Sequence, residues 1–156
     1  MRIAITGTPG TGKTEIARLL AKRIGYDYLP LNQLAEKHRL YIGYDKKRGV
    51  RIVDTEKLKE KVKDNVVIDS HFSHDVDPDI IIVLKTHPRE LRERMEERGW
   101  EEKKIEENME AEIMEVIHTE SLETGKPVFT INTTGKTPLR CVGNIIETLK
   151  SRGIKL

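Results

Sequence analysis

Apolar positions along the chain follow two rhythms. Short apolar runs recur at residues 2–6, Tyr26–Leu29, Asn65–Ile68, Ile80–Leu84 and Val128–Ile131. They are too short for helices and lack strict alternation, as expected of strands covered on both faces. Between them, Ile, Leu, Val and Met recur every three or four residues, the period of a helix with one buried stripe. Ile16, Leu20 and Ile24 define a helix over 12–24 that Gly25 ends, and Leu34 and Ala35 turn inward from one over 31–39. Asp54 or Thr55 caps a helix over 55–63. Leu91 and Met95 mark one over 88–98, closed by Gly99. Ile105, Met109, Ile113 and Ile117 predict one long helix over 102–123, and Leu139, Val142, Ile146 and Leu149 a last one over 138–151. Residues 40–53, with Gly43, Asp45 and Gly49, read as loop with a brief strand over 50–53.

Strands alternating with helices along the whole length predict an α/β fold. About five parallel strands lie between helices on both sides, in a single domain over 1–156. Charged residues make up 35% and aromatics 4%, so Ile, Leu, Val, Met and Ala must fill the core. The lone Cys141 cannot form an internal disulfide and sits among apolar helix positions. It reads as a small buried residue and suits a reducing, cytoplasmic setting. The longest apolar run, Ile80–Leu84, is far below the ~20 residues of a membrane helix, so no membrane partner is expected. Net charge is only +2, but it is unevenly spread. Residues 37–63 carry ten Lys or Arg against four acids, and residues 90–124 carry thirteen Glu against five Lys or Arg. These are either solvated helix faces, or a basic edge for phosphate or RNA and an acidic face for a basic partner.

The chemistry begins at Gly7-Thr-Pro-Gly10-Thr11-Gly12-Lys13-Thr14, which matches the P-loop pattern G-x-x-x-x-G-K-[ST] between a strand and an amphipathic helix. Its glycines let the backbone aim several N–H groups at one anion, and the helix N-terminus adds positive potential. Lys13 brings charge to the β- and γ-phosphates of ATP, and the Thr14 hydroxyl is placed to ligate Mg²⁺. A second metal carboxylate is expected at the end of a neighbouring apolar strand. Val66-Val67-Ile68-Asp69 supplies it better than Asp54, which follows a less apolar stretch. His71, two residues on, is positioned to orient a water or take its proton, whereas His74 reads as structural. His38, His87 and His118 read as surface residues without metal-ligand spacing, so no zinc is expected. Arg89, Arg92, Arg94 and Arg98 cluster on one helix. Arg94 and Arg98, four apart, suit neutralisation of a moving phosphoryl group, with Gly99 as hinge of a short cover. The lack of Asn-Lys-x-Asp disfavours a GTPase, and ring-forming ATPase modules need a longer chain, which leaves small kinases.

Taken together, Thr8-Pro-Gly-Thr-Gly-Lys-Thr14, Asp69-Ser-His71, Glu93-Arg-Met-Glu-Glu-Arg98-Gly-Trp100-Glu-Glu-Lys-Lys104 and Glu107-Asn108 resemble the adenylate-kinase-like ATPase family of small ribosomal subunit maturation, the archaeal branch most closely. The resemblance spans about residues 1–124. It implies a P-loop NTPase three-layer sandwich of nucleoside-monophosphate-kinase type, with a monophosphate region near 30–51 and a short lid near 99–109. It implies reversible phosphoryl transfer from ATP to a nucleoside monophosphate, usually AMP, with slow ATP hydrolysis. It also implies binding to a platform ribosomal protein during late rRNA maturation, with pre-rRNA nearby. By position, Gly10, Gly12, Lys13 and Thr14, flanked by Thr11 and Glu15, grip ATP. Asp69 and His71 match the family's Asp-x-His, and Arg98 its lid arginine; Asn132-Thr-Thr-Gly135-Lys136 resembles the loop on the adenine. One departure stands out: Glu36 takes the place of the arginine that holds the acceptor phosphate, leaving Lys37 or Arg39 for that role. A shikimate-type small-metabolite kinase, or an assembly factor that uses ATP as a switch with negligible kinase activity, are the competing readings.

Overall fold

The computed structural model describes residues 1–46 and 50–156. Five strands form one parallel sheet: β1 (Arg2–Thr6), β2 (Asp27–Pro30), β5 (Val66–Asp69), β6 (Ile80–Lys85) and β7 (Val128–Asn132), in the spatial order β2-β5-β1-β6-β7. Each run is close to the expected one. β1 lies between two strands that come later in the chain, so the sheet's central crevice opens at its C-terminal end. The register sets Ile5 beside Asp69 and Pro30 beside Asp69, bringing three strand ends to one edge.

Alternate side chains of these strands serve opposite layers, as period two requires. Ile3, Ile5, Val67, Ile80, Ile82 and Leu84 face α1 (Lys13–Ile24) and the last helix, α7 (Pro138–Ser151). Ala4, Val66, Ile68, Ile81 and Val83 face α2 (Leu31–His38) and α3 (Thr55–Glu60). Fully buried aliphatic side chains such as Leu20, Leu31 and Ile82 each contribute about 1.5–3 kcal/mol. Gly25 caps α1 in the left-handed conformation, and the Asp54 carboxylate caps α3 by accepting the Lys57 N–H at 3.1 Å.

Three expectations are corrected. Residues 40–53 are not mainly loop: β3 (Tyr41–Asp45) pairs antiparallel with β4 (Val50–Val53). Gly43 and Asp45 hid β3, although Tyr41, Ile42 and Tyr44 are good strand residues. Lys47 and Arg48 of the basic stretch, and Gly49 of the expected loop, lie outside the described residues. The long helix over 102–123 is two helices, α5 (Glu102–Ile113) and α6 (Val116–Glu123), broken at Glu115 with φ 53°. Strict four-residue spacing drifts about 40° per step round a 3.6-residue helix, so one straight helix cannot keep all four apolar residues inward. Ile105 stays buried with Leu91 and Met95 of α4 (Pro88–Glu97), while Ile113 is 63% exposed. On α7, Leu139 is 65% exposed and Ile146 only partly covered; Cys141, Val142, Ile145 and Leu149 form the buried stripe. No helix among the described residues is long and apolar enough to cross a membrane.

Candidate functional site

The loop from Gly7 to Gly12 leaves β1 and curls back over the C-terminal edge of the sheet. Gly7 has φ 150°, and an added Cβ would stand 2.8 Å from the Leu84 carbonyl, so glycine is required by both backbone and space. Gly12, at φ 93°, begins α1 in the left-handed region. The turn is closed by Thr11, whose hydroxyl donates to the Thr8 carbonyl at 2.8 Å. Lys13 folds across it, its Nζ donating to the carbonyls of Gly7 at 3.0 Å and Thr8 at 3.2 Å. Burial lowers the Lys13 pKa to about 8. Asp69 and Glu112 pull it up, and the Arg98 charge pushes it further down.

Asp69 is 5% exposed. Its carboxylate accepts a hydrogen bond from Tyr28 Oη at 3.2 Å, and the Thr14 hydroxyl nearby favours its charged form. Burial holds its carboxyl above the ordinary range despite these donors and the nearby Lys13 and Arg18. The same burial, with the Asp69 charge, raises the Tyr28 phenol. Asp54, the competing carboxylate, is engaged at the start of α3.

Beyond β5, the turn after Asp69 is fixed from below. Ser70 Oγ accepts the Phe72 N–H at 3.0 Å, and buried Ser73 Oγ donates to the Ile5 carbonyl at 2.7 Å. His71 stands exposed, its ring edge-on to Phe72 with centroids 5.1 Å apart. His74 is buried. Of the three expected surface histidines, His38 and His87 are exposed and His118 is half-buried.

The two arginines expected to face a moving phosphoryl group part company. Arg94 Nη1 donates to the Gly10 carbonyl at 3.3 Å and to Thr133 Oγ1 at 3.5 Å, and its other nitrogen pairs with Glu90 at 3.4 Å. Glu90 in turn accepts the Gly135 N–H at 3.0 Å, so α4 ties the phosphate loop to the Asn132–Lys136 loop. Arg98 is exposed, 5.9 Å above the Trp100 ring and within Coulombic reach of Lys13. Glu15 is exposed in the first turn of α1, and Lys136 closes its loop through an N–H to the Thr133 carbonyl at 3.1 Å.

Sequence reasoning missed Tyr28, Glu112 and Arg51. It saw Glu90 as a surface partner for the arginines of its helix, and the structure pairs it with Arg94 at i,i+4. Tyr28 reaches Asp69 only through the pairing of β2 with β5, which no local pattern announces. In the region expected to receive the acceptor, Glu36 accepts from Tyr41 Oη at 2.6 Å and from Arg51 at 2.5 Å, with Arg51 4.2 Å above the Tyr41 ring. These bonds hold the Glu36 carboxyl below its ordinary range. Lys37 and Arg39 are both exposed.

A family profile described as "AAA domain" matches residues 3–115. A protein of Thermococcus onnurineus named "Putative adenylate kinase" is 41% identical over 97% of this chain and 85% of its own length. A protein of the same name from Pyrococcus abyssi is 44% identical over 99% of this chain and 87% of its own. Among solved structures, shikimate kinase from Acinetobacter baumannii superposes with a TM-score of 0.71 over 99% of this chain and 95% of that one. At 16% identity that likeness speaks for the fold.

Proposed function

The chain belongs to the AAA-domain family of P-loop proteins and to the group of these archaeal relatives, and from that premise we propose that it is an adenylate-kinase-type nucleoside monophosphate kinase, converting ATP and AMP reversibly to two ADP, with slow ATP hydrolysis. It is a phosphotransferase, a kinase of nucleotides or small metabolites. The observation that carries the finer reading is the meeting of Lys13, Thr14 and Asp69 under a curled glycine loop at the sheet edge. The loop amides and Lys13 bind the phosphates. The Thr14 hydroxyl and the Asp69 carboxylate, which lie near one another, are hard oxygen donors of the kind Mg²⁺ prefers, so they fit that ion. Mg²⁺ would neutralise charge on the β- and γ-oxygens.

In this reading Arg98 covers the phosphates from the lid side, and Arg94 braces the loop through Gly10. Glu15 and Lys136 flank the nucleotide, and His71 orients the water of hydrolysis. The acceptor lies towards α2, where Arg51 joins Lys37 and Arg39 as a cation for its phosphate. The decisive experiment mixes protein, Mg-ATP and AMP and follows ADP. ADP formed no faster than without AMP ends the kinase reading.

A second reading has its own observation. Ile113, Met114, Val116 and Leu122 are exposed on α5 and α6 amid the Glu-rich stretch, an apolar surface with acidic surroundings suited to a basic protein partner. We infer that the chain also acts in late small-subunit maturation in the cytoplasm, with a platform ribosomal protein as partner and pre-rRNA near the basic edge. Pull-down of that protein with and without ATP tests it; no complex in either state ends it.

A further inference from the structure

One buried titratable group plays no part in the chemistry above. The His74 side chain is 1% exposed, yet both ring nitrogens are engaged. Nδ1 lies 3.0 Å from the hydroxyl of Thr6, and Nε2 lies 2.8 Å from a carboxylate oxygen of Glu120 on α6. Asp75, at 3.7 Å from Nε2, is the other carboxylate beside the ring. Thr6 is the last residue of β1, fully buried, and the next residue is Gly7, whose carbonyl receives Lys13. The imidazole therefore joins three elements: the strand that launches the phosphate loop, the turn that carries Asp69 and His71, and α6.

The chemistry of the contacts constrains their direction. The ionised Glu120 carboxylate only accepts, so Nε2 carries a proton and donates to it. Nδ1 and the Thr6 hydroxyl share a hydrogen bond in which the hydroxyl is donor to a neutral ring and acceptor from a charged one. Next to it, Ser73 Oγ donates to the Ile5 carbonyl, so two consecutive residues of the turn grip two consecutive residues of β1. A merely space-filling ring would need neither bond. We propose that His74 is a positioning residue: with its ring oriented by Glu120, it holds the turn bearing Asp69 and His71 in register with the phosphate loop. The inference rests on the reading of Gly7–Thr14 as the nucleotide loop. It predicts that the bond to Thr6, rather than the bulk of the ring, sets turnover.

The test uses the whole chain and three variants. His74→Leu keeps bulk and removes both bonds; His74→Asn keeps a polar atom near the Nδ1 position; Thr6→Val removes the hydroxyl from the other side. His74→Leu and Thr6→Val are expected to lower kcat for ATP turnover about tenfold with KM for ATP within about twofold, because misplacing a catalytic group costs rate while the loop amides still bind phosphate. His74→Asn is expected to recover most of kcat. Unchanged kcat in Thr6→Val overturns the proposal, as does a kcat in His74→Asn as low as in His74→Leu. Should His74→Leu fail to fold, Thr6→Val and His74→Asn still decide. Lys13→Ala run alongside separates the two readings. Turnover surviving Lys13→Ala overturns the loop assignment and this inference with it; turnover lost there but intact in Thr6→Val overturns this inference alone.

Discussion

The sheet edge around Asp69 and the helix pair α5–α6 are built on opposite terms. At the edge, charged and hydroxyl groups are drawn inward, and each is matched to a named partner: Asp69 to Tyr28, Lys13 to two carbonyls, Ser73 to Ile5. Among the described residues no buried side-chain polar atom lacks a partner. On α5–α6 the reverse holds: Ile113, Met114, Val116 and Leu122 stand in solvent among acids. The first region accepts desolvation of charge to gain chemistry, which costs stability. The second leaves apolar area unburied, which forgoes stability and keeps a surface open for contact.

The largest effect expected from this contrast is kinetic. Lys13→Ala should lower ATP turnover by about 10²–10³-fold, measured as steady-state ADP release, while the fold survives. By comparison, Leu20→Ala, beneath the site in the aliphatic layer, should cost about 2–5 kcal/mol in denaturant unfolding.

A smaller effect carries a pH signature. Burial raises the Asp69 carboxyl, so its ionised form weakens the fold at neutral pH. A raised folded pKa means the penalty is absent below the unfolded carboxylate range and sets in as pH climbs through the folded value. Asp69→Asn should therefore melt a few degrees higher at pH 7 and lose that advantage in acid, while turnover falls. Lys13→Met is the mirror case, because the Lys13 pKa is lowered to about 8 from 10.5. Its gain should be full at pH 7 and disappear as pH rises from 8 to 10.5. Flat melting curves for both variants would break the idea that the edge is held under electrostatic tension.

The smallest effects belong to the exposed side. Arg39 caps α2 at φ 51°, so Arg39→Gly should stabilise by about 0.5–1 kcal/mol in urea titration. If the proposed kinase reading holds, its effect on KM for AMP would also sharpen which cation binds that acceptor. Ile113→Ser should shift stability by no more than about 0.5 kcal/mol; a loss of several would show that the side chain is covered after all.

What could be read in advance follows the same division. The phosphate loop, the strand ending at Asp69 and the cap at Asp54 depend on residues adjacent in the chain, so glycines, apolar runs and short polar side chains announce them. The five parallel strands were legible because burial on both faces erases polar alternation. Tyr28 at Asp69, Glu90 at Gly135 and Glu120 at His74 were not, because each contact joins elements far apart in the chain. The break at Glu115 was hidden for a related reason. An apolar stripe with no glycine or proline reads as continuous, and only packing of Ile105 onto α4 forces the turn. Strand β3 was lost to its own Gly43 and Asp45.

The place of β1 bears on how the molecule comes into being. Its hydrogen-bonded neighbours are β5 and β6, which begin at residues 66 and 80. Strand β1 is thus made well before either of its partners, and a growing chain that has reached residue 60 carries every atom of the phosphate loop without the lattice to shape it. Nucleotide capture should appear abruptly during synthesis, once β6 has docked.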